Sequence, residues 1–334
     1  MRPQTIALTG ASGFIGRVLT PLLQAEGHTL RLLSRSGSPG QGAVAIKGDL
    51  LDEDSLARLV TGADVVIHLA AVISIADKTD AHTMAVNVTG TRYLLEAARR
   101  AGVRRFIHLS SVTAFEQAPY DARMDESRGP AAATREHYAY SKTVSQAMAL
   151  DYNDKGLEVI VLAPTAVIGP FDYKPSPMGK AAIAMYKNKV PALFPGGVDY
   201  VDVRDVAGAI AAAVTGGTPG NVYLLSGRWV SLQTFAADIG RIKGTIEGTP
   251  IGGKTIPVLP LWLIFGALPL VKLWARLTGG PPYYTRLAVY NLLYSNKQID
   301  CTRARATLRF SPRPFEETLK DTIAWFRQNG MLSL

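Results

Sequence analysis

Tyr138-Ala139-Tyr140-Ser141-Lys142 sets a phenol and an amine four residues apart, which on a helix puts both on one face. A cationic Lys142 near Tyr138 would favour the tyrosinate and make the phenol a usable acid or base near neutral pH. Spacing alone proves little in a chain with 13 Tyr, so position has to sharpen it. The pair opens the helix that follows a strand ending in Leu109-Ser110-Ser111, and ligands of open α/β sheets sit at the carboxyl ends of strands. Ser111 could hydrogen-bond a reacting oxygen there, with Thr113 a substitute if the register differs. The bland alternative is a surface Tyr and Lys beside a buried serine.

A second run, Thr9-Gly10-Ala11-Ser12-Gly13-Phe14-Ile15-Gly16, places glycines at three-residue spacing between a strand and a helix. Gly10 permits the tight turn, Gly13 lets backbone approach a pyrophosphate, and Gly16 lets helix and sheet pack closely. Ser12, Phe14 and Ile15 would line the helix N-terminus that holds the phosphates. At the end of the next strand stands Leu33-Ser34-Arg35-Ser36, with no acid for a ribose diol, so Arg35 suits the 2′-phosphate of NADP better than it suits NAD. Arg35 as a merely solvated loop residue is the competing view.

The elements that must position these groups follow from periodicity. Thr5–Leu8, Thr29–Leu33, Ala43–Lys47, Asp64–Leu69, Arg105–Ser110 and Glu158–Ala163 are short, mostly continuous apolar runs, as expected of buried parallel strands. Ile15–Glu26, Ser55–Val60, Thr83–Ala101 and Tyr138–Asn153 repeat apolar residues every three or four positions, so the order is βαβ repeated. The fold class is α/β, a Rossmann-type doubly wound parallel sheet, with a smaller, discontinuous C-terminal lobe. After Pro164 the Pro and Gly content rises, then a strand Tyr200–Val203, a helix Val206–Val214 and a strand Val222–Leu225 resume the α/β pattern. This predicts a dinucleotide-binding domain over 1–164, completed by about 199–225, and a substrate lobe over 165–198 and 226–334. His68, inside an apolar strand, suits a satisfied core histidine better than a catalyst.

Composition closes off other classes. With 334 residues, 47% hydrophobic and 19% charged, the chain is neither collagenous nor disordered. Its single cysteine, Cys301, rules out an intrachain disulfide framework and a Cys-rich zinc site; no metal is expected. A net charge of +9 favours anionic ligands or surfaces, yet no helix-turn-helix, zinc-knuckle or RNP-type pattern points to nucleic acid. The N-terminus lacks a cleavable apolar segment, so a cytoplasmic location is expected, and a homodimer is compatible with the sequence. From Lys272 to Arg313 there are eight cations against Asp300 alone. Just before them, Ile256–Val271 is uncharged but too short and too rich in proline for a span of ~20 apolar residues. It caps the protein's own substrate pocket, or it lies, with Trp262 and Trp274, at an anionic membrane surface.

Taken together these runs resemble the extended short-chain dehydrogenase/reductase family. The resemblance also rests on Asp49-Leu50, the ADVVIHLAA run from Ala63 to Ala71, the NVTGT run from Asn87, and Asp125-Glu126. It extends through Ala163-Pro164-Thr165 with Gly169-Pro170, and Val201 to Val206. It implies Tyr138 as acid/base, Lys142 holding the nicotinamide ribose and tuning Tyr138, and Ser111 orienting the substrate oxygen. Asp49 and Leu50 would lie near the adenine, Leu69, Ala70 and Ala71 around the cofactor, and Pro164 beside it. Asn87 would support the site, or else bond only to neighbouring helix backbone.

In the C-terminal lobe, Ile256–Trp274, Pro281-Pro282-Tyr283-Tyr284 and Phe310–Pro314 resemble dihydroflavonol reductase-like and 3β-hydroxysteroid dehydrogenase-like members. The expectation is an NADP-dependent oxidoreductase interconverting a ketone and a secondary alcohol on an apolar substrate. A nucleotide-sugar epimerase or dehydratase is the alternative, weakened because Ala163 stands where sugar-nucleotide members commonly carry Arg. A dinucleotide-sensing protein without turnover is a third class, opposed by the joint presence of Ser111, Tyr138 and Lys142.

Overall fold

Alternate residues of each apolar strand face opposite cores, which is why the strands carry no polar face. In the computed structural model, which describes residues 2–37, 42–73, 81–132, 137–248, 256–266, 268 and 285–333, Ile6 and Leu8 enter one core while Ala7 enters the other. Ile160 and Leu162 likewise oppose Val159, Val161 and Ala163. A sheet buried on both faces needs helices on both, and βαβ connection supplies them.

The chain runs β1 (Thr5–Thr9), α1 (Phe14–Ala25), β2 (Thr29–Ser34), β3 (Ala43–Lys47), α2 (Glu53–Val60) and β4 (Val65–His68). It continues through α3 (Ala81–Met84), a π-helical turn Ala85–Thr89, α4 (Gly90–Arg100), β5 (Arg105–Leu109), α5 (His137–Asp151) and β6 (Glu158–Pro164). The main sheet has seven parallel strands in the order β3-β2-β1-β4-β5-β6-β9, with β9 at Asn221–Leu225. The strand order reverses between β1 and β4, so the crevice outside their carboxyl ends is where a ligand fits. The turn after β1 and the run Leu69-Ala70-Ala71 after β4 flank that crevice.

Beyond β6 the chain builds β7 (Ala166–Ile168), α6 (Pro177–Tyr186), β8 (Gly197–Asp202), α7 (Val203–Ala213), then β9, β10 (Arg228–Ser231) and α8 (Leu232–Glu247). The strand expected at Tyr200–Val203 begins earlier and joins a separate three-stranded sheet, β10-β8-β7, not the main one. Its Tyr200 stacks on Phe235 in the second lobe's core. Asp202 caps α7 by accepting from Arg204 N at 2.7 Å, so the helix starts at Val203 and not at Val206. That helix returns to the first core through Val206, Ala207 and Ile210. The tail does the same: Cys301, Ala304, Leu308 and Phe310 pack into the first core, although they follow second-lobe sequence. The lobes are therefore more interleaved than a cut at 226 implies. A fork from Arg313 to Asp205 (2.9 and 2.7 Å) and a 2.7 Å pair between Arg204 and Asp321 pin the last helix, Phe315–Gln328, to α7.

Candidate active site

Two of the three glycines are enforced by contact. Gly10 has φ +79°, and a Cβ there would lie 2.7 Å from Ala70 N. A Cβ on Gly16 would lie 2.3 Å from Gly10 O, so α1 could not approach the turn. Ser12 and Gly13 are exposed, and α1 starts with no side-chain cap and no acidic residue in its first turn. Its leading N–H groups, including those of Phe14 and Ile15, have no intrahelical partner, which fits a pyrophosphate. Arg17 reinforces this end: Nε donates to Ser12 O at 3.1 Å, and the guanidinium sits 4.6 Å over the ring of Tyr173, brought in by the β7–α6 loop.

At the adenosine end, Arg35 is exposed at the carboxyl end of β2 and makes no ion pair among the described residues. Asp49 is exposed and accepts from Leu51 N at 3.0 Å. Leu50 is buried against Gly90, where a Cβ would come within 2.9 Å of it. The NVTGT glycine thus makes room for the Asp49-Leu50 turn.

Behind the crevice runs a satisfied polar chain. Thr91 Oγ1 donates to Asn87 O at 2.7 Å, so it accepts from His68 Nε2 at 2.9 Å, and His68 Nδ1 accepts from Thr9 Oγ1 at 2.7 Å. Burial, and secondarily the Lys142 charge, push His68 down to about 3, so its imidazole is neutral and structural, as its place in β4 implied. Asn87 does not bond only to its own helix. Its Oδ1 accepts from Val72 N (2.8 Å), and its Nδ2 donates to Val72 O and to Ser141 Oγ (3.0 Å each). Ser141 in turn donates to Tyr138 O at 2.7 Å. Asn87 lies in the π-helical turn, a distortion frequent at functional sites.

Tyr138 and Lys142 share one face of α5, as the spacing predicts. Lys142 is buried, its Nζ donates to Leu109 O at 2.8 Å, and burial lowers the ammonium to about 8. Ser110, also buried, donates to Gln146 Oε1 at 2.6 Å, one turn beyond Lys142 on α5. Ser111 Oγ accepts from Thr113 N (3.2 Å) and Thr113 Oγ1 (3.0 Å), which leaves the Ser111 hydroxyl hydrogen to donate. Pro164 closes β6 beside Leu225.

The basic tail is partly spent on structure: Arg303 faces Glu126 at 3.7 Å and Arg313 pairs with Asp205. Lys272, Trp274, Arg276 and Pro281–Tyr284 lie outside the described residues. No His, Cys, Asp or Glu cluster among the described residues could hold a metal, and no helix among them is long and apolar enough to cross a membrane. Sequence reasoning missed Arg17 and Tyr173; a cation one residue past Gly16 was the available signal.

Residues 6–226 match the model of the NAD dependent epimerase/dehydratase family, and the chain belongs to that family of NAD(P)-dependent enzymes acting on CH–OH groups. Sterol demethylase protein B of Methylococcus capsulatus is 30% identical, covering 98% of this chain and 100% of the relative. A putative dihydroflavonol 4-reductase of Synechocystis is 29% identical over 97% and 94%. Among solved structures, gox2253 superposes with TM-score 0.82 at 30% identity, covering 99% of this chain and 100% of that one.

Proposed function

We propose that the protein is an NADP-dependent oxidoreductase that interconverts a ketone and a secondary alcohol on an apolar substrate of the steroid, flavonoid or lipid class. The observation that carries this is the buried Lys142 ammonium, fixed on Leu109 O at the strand end that also bears Ser111, on the same helix face as Tyr138. The uncapped N-terminus of α1 and the glycine turn fit a dinucleotide pyrophosphate. Gly10, Ser12, Gly13, Phe14, Ile15 and Gly16 would hold that group and Arg35 a 2′-phosphate. Asp49 and Leu50 would hold the adenosine, Leu69–Ala71 the middle, and Tyr138, Lys142 and Pro164 the nicotinamide end.

A nicotinamide dinucleotide bound here supplies or takes the hydride. Tyr138 gives its hydroxyl proton to the substrate oxygen in reduction and takes it back in oxidation. Ser111, whose lone pairs are engaged by Thr113, donates its hydrogen to that same oxygen. Lys142, cationic below about pH 8, favours negative charge on Tyr138 and directs remaining N–H groups to the ribose. Asn87 positions the turn of α5 that carries Tyr138 through Ser141.

Three observations support the apolar substrate class. Ala163 leaves no cation at the end of β6, Arg303 and Arg313 are engaged by acids, and Ile73, next to the Asn87-held Val72, is exposed. The names of the sterol and dihydroflavonol relatives point the same way. The test is incubation with NADPH and a panel of ketosteroids, flavonoid ketones and nucleotide-linked hexoses. Net NADPH oxidation with apolar ketones alone is expected. Sugar turnover without net cofactor consumption would replace this proposal with the epimerase alternative.

A further inference from the structure

Residues 256–268 contain no charged side chain. Ile264 and Leu268 are buried in the second lobe's core, with Ile256, Leu259 and Leu261 packed against it. On the other side, Val258, Trp262, Leu263 and Phe265 are 44%, 73%, 39% and 37% exposed. Of the eleven large apolar side chains exposed among the described residues, four fall in this one stretch, so the exposure is a patch and not scatter. A helical turn that is apolar all round suits a core or a lipid boundary, and the turn over 261–266 is only half inside.

Charge beside the patch says what covers it. Leu193 N donates to Pro257 O and Leu259 N donates to Leu193 O, both at 2.8 Å, which sews the stretch to the loop after α6. That loop carries Lys187 and Lys189, and Lys189 is four residues from Leu193, at most ~14 Å along an extended chain. From Tyr173 to Val198 the chain has Lys174, Lys180, Lys187 and Lys189 and no acid. At the end of α6, Glu247 accepts from Tyr186 Oη at 3.4 Å, and Lys243 donates to the Tyr186 carbonyl at 2.8 Å. A two-fold contact between copies would bring the same basic loop against itself, whereas an anionic surface attracts it.

We infer that this face docks peripherally on an anionic lipid bilayer, with Val258, Trp262, Leu263 and Phe265 at the acyl boundary and Lys187 and Lys189 toward the headgroups. The inference stands independently of the substrate class.

The experiment is co-sedimentation of the full chain with phosphatidylcholine vesicles, with and without phosphatidylglycerol, at low and high salt. The parent protein binds the anionic vesicles, less so at high salt, and brominated acyl chains quench its tryptophan emission. Lys187→Gln with Lys189→Gln lowers partitioning onto anionic vesicles by about thirtyfold and leaves neutral vesicles unaffected. Trp262→Ser with Phe265→Ser lowers it on both by about tenfold or more. NADPH affinity equal to the parent's reports that each variant is folded. The inference is overturned if the parent ignores anionic vesicles at low salt or is not quenched. Parent-like binding by either folded variant would also overturn it, as would a parent dimer that the Trp262/Phe265 variant splits into monomers, which would assign the face to a second copy.

Discussion

Lys142 carries its charge at a cost that can be measured. Its side chain is buried, and burial moves its titration from the ordinary 10.5 to about 8. Below about pH 8 both folded and unfolded chains hold the proton, and the folded state bears a penalty of about 3 kcal/mol. Between about 8 and 10.5 the unfolded chain still binds the proton that the folded chain has released, so this group makes stability rise with pH through that window. The penalty falls to about 1 kcal/mol at pH 10 and vanishes above 10.5. Lys142→Met removes the titration and keeps most of the volume. The lost bond to Leu109 O shifts the variant's stability by a pH-independent amount, so the readout is the difference between the two proteins as pH changes. In urea unfolding followed by circular dichroism at pH 7 and pH 10, the parent gains about 2–3 kcal/mol relative to the variant. A difference flat to within about 0.5 kcal/mol would refute the claim that Lys142 is a buried cation on the helix face that carries Tyr138.

Asn87→Ala leaves Val72 and Ser141 without their shared partner, so unfolding stability drops by about 2–4 kcal/mol and kcat falls while NADPH affinity changes less; thermal melts and steady-state kinetics check both. Arg35→Asp inverts cofactor preference, read by paired NADPH and NADH titrations in which the parent favours NADPH by about tenfold or more. Two glycines separate contact from propensity. Gly16→Ala drives a Cβ into Gly10 O, costs about 1–3 kcal/mol and weakens NADPH binding, whereas Gly208→Ala, in α7 with nothing within 4 Å, stabilises by about 1 kcal/mol in the same urea assay.

The sheet was legible because burial on both faces writes itself as continuous apolar runs in β1, β4, β5 and β6, and the edge strand β3, which has no buried residue, still falls on the expected Ala43–Lys47. Strands of three or four residues, such as β7 and β10, are too short to show any period, which is why the second sheet went unseen and β8 was placed in the wrong one. The geometry of the glycine turn and the shared helix face of Tyr138 and Lys142 were legible because both depend only on local spacing. The links that hold the site were not: Asn87 reaches Ser141 across 54 residues, and Arg17 meets Tyr173 from another lobe. Such pairs exist only once the elements have packed, and no periodicity announces them.

The central claim is that Tyr138, beside Lys142 and Ser111, passes the proton in a net hydride transfer to an apolar ketone. Its most direct test uses NADPH deuterated at nicotinamide C4 with a ketosteroid, and mass spectrometry of the product. The parent protein is expected to form a secondary alcohol carrying one deuterium on the carbinol carbon, and Tyr138→Phe to bind NADPH with near-parent affinity yet form almost none. Deuterated product formed by Tyr138→Phe at a rate close to the parent's would contradict the account.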